Sequence, residues 1–143
     1  MSEIRVSIDI PQPPEVVWAD IARLETHVEW MADAESIEFE GEQRGGVGTT
    51  MKVLTKVGPL KTMDVIRVLT WDPPHTIGVR HEGVVAGEGA FLLTPTETGT
   101  RFQWAEDLVM PWYFGGRLGA LAAKPLLALV WRRNLKRLAA RFE

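Results

Sequence analysis

His81 and Glu106 are the residues whose types and predicted positions suit acid–base chemistry, with Gly89 between them. The stretch RHEGVVAGEGAF, residues 80–91, is typical of two strands joined by a loop at 83–87, and this loop pairs His81 with Gly89. The next hairpin pairs Gly89 with Glu106. Neighbouring strands lie about 4.8 Å apart, so the two outer backbones of this row are about 10 Å apart. Because glycine has no side chain, the imidazole and the carboxylate can approach each other or bracket a ligand.

An imidazole and a carboxylate that face one space are suited to general acid–base catalysis, as an aldol-type cyclisation or a dehydration requires. We therefore predict that His81 and Glu106 form the polar part of an otherwise apolar pocket and are the candidate catalytic pair. Two alternatives stay open. A register shifted by one residue would place both side chains in solvent, and an incidental pair at the rim would carry no chemistry.

The pattern along the chain predicts one strand, two short helices, six strands and one long helix. Residues 3–10 alternate between apolar and polar side chains, as a half-buried strand does. Prolines then begin a short helix, and a second short helix is predicted at 25–31. Between residues 35 and 110, turn signals recur every 8 to 14 residues, which favours an antiparallel meander. From about residue 113 to 142, apolar residues follow a helical stripe, with Pro125 expected to kink the helix.

These elements predict an α+β domain that covers residues 1–143, in which a curved seven-stranded antiparallel sheet wraps the C-terminal helix. A curved sheet leaves a pocket between its concave face and the helix. The tryptophans facing this space suit either the pocket wall or core packing. The predicted ligand-binding residues are Trp30, Met51, Val53, Phe91, Trp104, Leu108, Met110, Leu127 and Trp131.

The composition narrows the functional classes. The chain has no cysteine, which excludes disulfides, thiolate zinc sites, iron–sulfur clusters and a cysteine nucleophile. Its three histidines lack metal-ligand spacing, so we predict no metal and no cofactor. No nucleic-acid-binding module is present in the sequence. The longest apolar stretch, residues 118–131, is too short and too interrupted to span a bilayer, and the N-terminus is unlike a signal peptide. We therefore expect a cytoplasmic protein.

The charge is distributed unevenly along the chain. Residues 112–143 carry a net charge of +6, whereas the whole chain carries −3, so the preceding part carries −9. A solvated face of an amphipathic helix accounts for this pattern. The alternatives are contact with nucleic acid, with an anionic membrane or with another protein through Arg132, Arg133 and Arg137.

The element order resembles a known superfamily. The supporting segments are PPEVVWADIARLETHVEWM, WDPP, TETGTRFQW and the basic terminal helix. Together they resemble the START/birch-pollen-allergen-like (SRPBCC) superfamily of helix-grip proteins and, within it, the bacterial polyketide cyclase/dehydrase family. The resemblance implies a hydrophobic cavity for a lipid, sterol, polyketide or other apolar molecule, and it transfers no catalytic residue to this chain.

Three functions follow as expectations. The first is binding or carriage of a small hydrophobic ligand. The second is a polyketide cyclase or dehydratase that uses His81 and Glu106 as acid and base. The third is a protein-interaction or regulatory module that uses the basic helix. The sequence leaves the choice between monomer and dimer open.

Overall fold

The structure is a computed structural model that describes residues 3–143. Within this range the chain forms seven strands, two α-helices and two 3₁₀ helices. Their bounds are β1 Glu3–Ile10, α1 Pro14–Ile21, the first 3₁₀ helix Leu24–Glu29, β2 Ala34–Glu40, β3 Thr50–Val57, β4 Leu60–Asp72, β5 Thr76–Gly83, β6 Ala86–Thr96, β7 Gly99–Val109, the second 3₁₀ helix Trp112–Phe114 and α2 Gly116–Ala140.

The strands form one antiparallel sheet in the order β1-β7-β6-β5-β4-β3-β2. The first and last strands are therefore neighbours, and Val6 pairs with Trp104. The sheet curves around α2, and α1 with the first 3₁₀ helix connects β1 to the far edge strand β2. This arrangement confirms the predicted α+β helix-grip fold.

Helix α2 is buried unevenly along its length. In its second half Trp131, Leu135 and Leu138 are buried against the sheet, as the four- and three-residue spacing of the apolar stripe predicts. In its first half, among residues 116–127, Ala120 alone is buried. The second half therefore fixes the helix on the core, while the first half stands over space that the side chains do not fill.

The predicted pairing of β5 with β6 is wrong by two residues. The strands continue to Gly83 and resume at Ala86, so that His81 pairs with Gly87, and Gly89 pairs with Val79. The reason lies at Gly87, which the sequence pattern places in the loop. It has φ +126° and approaches the β7 backbone so closely that a Cβ atom would lie 2.0 Å from the Asp107 carbonyl oxygen. A shift of two residues keeps every side chain on its predicted face.

The pairing of β6 with β7 agrees with the prediction. Gly89 lies opposite Glu106, and Phe91 lies opposite Trp104. Two helical boundaries differ from the prediction. The second short helix is the 3₁₀ helix at Leu24–Glu29. The terminal helix begins at Gly116, after a separate 3₁₀ turn, and continues through Pro125.

Candidate functional site

A cavity of about 330 Å³ lies between the concave face of the sheet and α2. Its wall is mostly apolar, because alternate residues of each strand point inward and α2 closes the open side. Eight of the nine predicted ligand-binding residues line it: Met51, Val53, Phe91, Trp104, Leu108, Met110, Leu127 and Trp131. Trp104 and Trp131 stack across the interior with ring centroids 4.7 Å apart, which joins the sheet wall to the helix wall.

Trp30 is the ninth predicted residue, and its placement on the wall is wrong. Its side chain is 1% exposed and lies behind the cavity wall, with its ring centroid 5.8 Å from that of Phe91 and 6.1 Å from that of Trp104. Phe91 and Trp104 line the cavity, whereas Trp30 is not among its lining residues. Trp30 is therefore a core residue that supports two wall residues.

His81 and Glu106 meet on the cavity wall. The imidazole Nε2–H of His81 donates a hydrogen bond of 2.8 Å to Glu106 Oε1, and the two side chains are only 13% and 9% exposed. Gly89 makes this contact possible, since a Cβ atom there would lie 2.5 Å from Glu106 Cγ. The carboxylate thus lies across β6 in the space that the missing side chain leaves, and it reaches a histidine on the next strand.

Two opposed effects set the protonation of His81. Burial lowers the pKa of the imidazole, because the charged form loses water. The negative charge of Glu106, its hydrogen bond and the more distant charge of Asp64 raise the pKa, and their combined effect leaves it above the ordinary value. The neighbouring carboxylate therefore favours the protonated form of the imidazole inside a largely apolar space.

Sequence reasoning missed two further carboxylates on the wall, Asp33 and Asp64. Asp64 is buried on β4 and accepts a 3.2 Å hydrogen bond from the Thr62 hydroxyl. The sequence contained a signal for Asp64, because Thr62, Asp64, Ile66 and Val68 are alternate residues of one strand and therefore point to the same, inward face. Asp33 lies in the segment before β2, where no periodic pattern predicts which way a side chain points.

Asp33 is held by α2. It accepts hydrogen bonds of 3.3 Å from the Trp131 indole N–H and 2.7 Å from the Asn134 side-chain amide. Burial raises the pKa of Asp33, although both hydrogen bonds oppose that shift. Asn134 also accepts a 3.0 Å hydrogen bond from the Ala32 backbone N–H. One buried amide therefore ties the helix to the segment that enters β2.

His27 also borders the cavity but contributes no positive charge to it. Its Nε2–H donates a 2.7 Å hydrogen bond to the Ile21 carbonyl oxygen. Burial lowers the pKa of His27 to about 4, so the imidazole is neutral near pH 7.

The polar wall is therefore acidic. Asp33, Asp64 and Glu106 line it together with His81, and no lysine or arginine is among the lining residues within 3–143. In the same part of the chain no group of three or more potential ligand side chains is arranged to hold a metal ion. This wall favours guests that donate hydrogen bonds or carry positive charge over guests that carry negative charge.

Substituting Gly89 with alanine tests the geometry of the pair. We expect the new Cβ to displace Glu106, to lower the free energy of unfolding by about 2 kcal/mol through overpacking, and to lower the pKa of His81. Urea unfolding and an NMR titration of the His81 ring measure these effects. Gly45→Ala is the control, since its added Cβ would lie at an ordinary 3.4 Å from the Trp71 ring. An unchanged His81 titration in Gly89→Ala would contradict the proposed role of the glycine.

Comparison with known proteins assigns this architecture to a family. The profile of the family described as "Polyketide cyclase / dehydrase and lipid transport" matches residues 1–143. The chain belongs to this family. A Mycobacterium tuberculosis protein, Rv1546, is 26% identical over 141 residues, which cover 97% of each chain.

Solved structures share the fold. A Thermus thermophilus protein superposes with a TM-score of 0.81 at 23% identity, over 98% of this chain and 96% of that chain. The ZhuI aromatase/cyclase of a Streptomyces species superposes with a TM-score of 0.73 at 18% identity, over 97% of this chain and 92% of that chain. The membership and these superpositions confirm the resemblance that the sequence indicated.

Proposed function

We propose that this protein binds and carries a small hydrophobic molecule in the cavity between the sheet and α2. The observation that supports this proposal is an apolar space of about 330 Å³, large enough for a small organic guest, that remains open beneath a helix whose other half is tightly packed. Membership of a family of cyclases, dehydrases and lipid-transport proteins agrees with it. The two stacked tryptophans supply a flat apolar surface for a ring or a chain.

The polar groups of the wall suggest what the ligand carries at one end. A guest with a carboxylate would bring negative charge close to Asp33, Asp64 and Glu106 at low dielectric, which is unfavourable. A phenol, an alcohol or an amine would instead donate hydrogen bonds to these oxygens. The ligand we propose is therefore an apolar, ring-containing or chain-like molecule with hydrogen-bond-donating or cationic groups.

Three matched probes test this polarity: a naphthol, a naphthylmethylamine and a naphthoate. Each should be titrated against the tryptophan emission of the purified protein, with native mass spectrometry to count bound molecules. We expect the naphthol and the amine to bind at least about tenfold more tightly than the naphthoate, a difference of about 1.4 kcal/mol. Equal or tighter binding of the naphthoate would overturn the proposed polarity, and no binding of any probe would count against the cavity as a binding site.

Filling the cavity should weaken probe binding without unfolding the protein. Leu127→Trp places an indole on the helix wall, where it occupies space that the naphthol needs. We therefore expect the naphthol to bind about tenfold more weakly or worse, a difference of about 1.4 kcal/mol. The control is Leu129→Trp, two residues along the same helix, where the side chain is exposed. Equal loss of affinity in both variants would show that the cavity is not where the probe binds.

A second candidate function is catalysis of a cyclisation or dehydration. The observation that favours it is the 2.8 Å contact between His81 and Glu106 on the cavity wall, since a donor and an acceptor there are placed to exchange protons with a guest. Similarity in fold to an aromatase/cyclase agrees with this alternative. In such a reaction the protonated imidazole would donate a proton to a carbonyl or hydroxyl oxygen, and a carboxylate would remove a proton from the neighbouring carbon.

A further inference from the structure

The protein exposes several large apolar side chains between the end of β7 and the middle of α2. Trp112 is 86% exposed, Leu118 78% and Leu121 59%. We call the whole set the apolar patch, and its members are Val109, Trp112, Tyr113, Leu118, Leu121, Leu126 and Leu129, each at least 44% exposed. An exposed patch of this kind is unfavourable in water, so it indicates a surface that meets an apolar partner.

The outer face of α2 changes from apolar to basic along its length. Leu118, Leu121 and Leu129 share one face with Arg132 and Lys136, because their spacings follow three- and four-residue steps. Arg133 lies next to this face and is exposed. The acids are concentrated elsewhere, since residues 112–143 carry +6 and the preceding part carries −9.

We propose that the apolar patch docks on the surface of an anionic lipid bilayer, with Arg132, Arg133 and Lys136 beside the headgroups. Tryptophan, tyrosine and leucine next to arginine and lysine form the combination that binds at such a surface, where apolar side chains enter the interface and cations meet anionic lipids. A second copy of the chain fits this face less well, because it would bring a second basic surface toward the first. No helix in the described chain, residues 3–143, is long and apolar enough to cross a membrane.

The patch adjoins the cavity. Leu126 lines the cavity and is also 52% exposed, and Met110 lines it directly after β7. The first half of α2, which separates bilayer from cavity in this arrangement, is the half that packs least on the core. An apolar molecule would thus pass between the lipid phase and the cavity without crossing bulk water. The docking itself does not depend on the proposed ligand.

Co-sedimentation with vesicles tests the electrostatic part. We expect the protein to bind vesicles of phosphatidylcholine mixed with phosphatidylglycerol, and to bind phosphatidylcholine alone much more weakly. Arg132→Glu/Arg133→Glu/Lys136→Glu should weaken binding to the mixed vesicles at least about tenfold, since each basic residue near an anionic surface contributes about 1 kcal/mol. Lys52→Glu/Lys56→Glu/Arg80→Glu makes the same change in net charge at exposed strand positions and should retain most of the affinity.

The contribution of the apolar side chains to vesicle binding is tested with separate variants. Leu118→Ser/Leu121→Ser should reduce vesicle binding about tenfold, because two exposed leucines no longer enter the interface, while Val16→Ser/Val47→Ser alters exposed positions elsewhere and should have no effect. Far-UV circular dichroism verifies that all variants are folded. The proposal is wrong if the wild-type protein does not bind the mixed vesicles. It is also wrong if size-exclusion chromatography shows a dimer that the leucine variants dissociate while their vesicle binding is unchanged.

Discussion

Replacing Asn134 with alanine is expected to lower the free energy of unfolding by about 3 kcal/mol, because it removes a fully buried amide that bonds three partners, one of them the largely buried carboxylate of Asp33. The side chain is fully buried. Its amide N–H donates a 2.7 Å hydrogen bond to Asp33 Oδ1. Its amide oxygen accepts 3.0 Å hydrogen bonds from the Ala32 backbone N–H and from the Arg137 guanidinium. Without the amide, the Ala32 N–H loses its acceptor. Burial already raises the pKa of Asp33, and this carboxylate retains only the 3.3 Å hydrogen bond from the Trp131 side chain.

Urea unfolding at neutral pH measures this effect. Lys136→Ala is the control, since it removes an exposed side chain from the same turn of the helix and should change stability by no more than about 0.5 kcal/mol. A double-mutant cycle with Asp33→Asn isolates the pair, and Asn134→Ala should cost less in that background. Equal costs in both backgrounds would show that Asn134 stabilises the fold independently of Asp33.

Replacing Glu106 with glutamine is expected to lower the pKa of His81 from above its ordinary value of 6.5 to below it. Burial lowers the pKa of His81, and in this variant only the weaker effect of the Asp64 charge opposes it. The amide oxygen of the introduced glutamine can still accept the hydrogen bond, so the change isolates charge from geometry. In the wild type the pair stabilises the fold fully below pH 6.5, and this stabilisation is lost as pH rises through the raised pKa.

The same variant should therefore lose about 2 kcal/mol of stability below pH 6.5 and much less well above the wild-type pKa. An NMR titration of the His81 ring measures the pKa, and urea unfolding at several pH values measures the stability. Glu88→Gln makes the same change in charge on β6, where Glu88 is exposed, and should leave both quantities unchanged. A His81 pKa that is the same in Glu106→Gln as in the wild type would contradict the assigned cause.

These variants also separate the two candidate functions. A carrier needs the apolar wall, so Glu106→Gln should alter naphthol affinity modestly, while Leu127→Trp should weaken it about tenfold or more. A cyclase or dehydratase needs the proton transfers, so Glu106→Gln and His81→Gln should each reduce turnover of a polyketide-like substrate by a factor on the order of 100 or more. Equal turnover in the wild type and in both variants would exclude this pair from the chemistry.

Much of the site could be predicted because it depends on local periodicity. Alternation along β3, β6 and β7 decides which side chains point inward, so Met51, Phe91 and Trp104 could be assigned to the wall from the sequence. The apolar stripe along α2 likewise assigned Leu127 and Trp131 to the wall. The missing side chain of Gly89 indicated a close approach, and Glu106 occupies that space.

The amino-acid sequence by itself determined the fold class, the inward face of each strand and the side of α2 that meets the sheet, because these follow from periods of two and 3.6 residues. Only the tertiary structure decided the β5–β6 register, the burial of Trp30 behind the wall and the entry of Asp33 into the cavity. Each of these depends on contacts between residues distant in sequence: Gly87 against the β7 backbone, Trp30 against Phe91, and Asp33 against α2. Periodicity reports the direction of a side chain, and it carries no information about which distant group that side chain will meet.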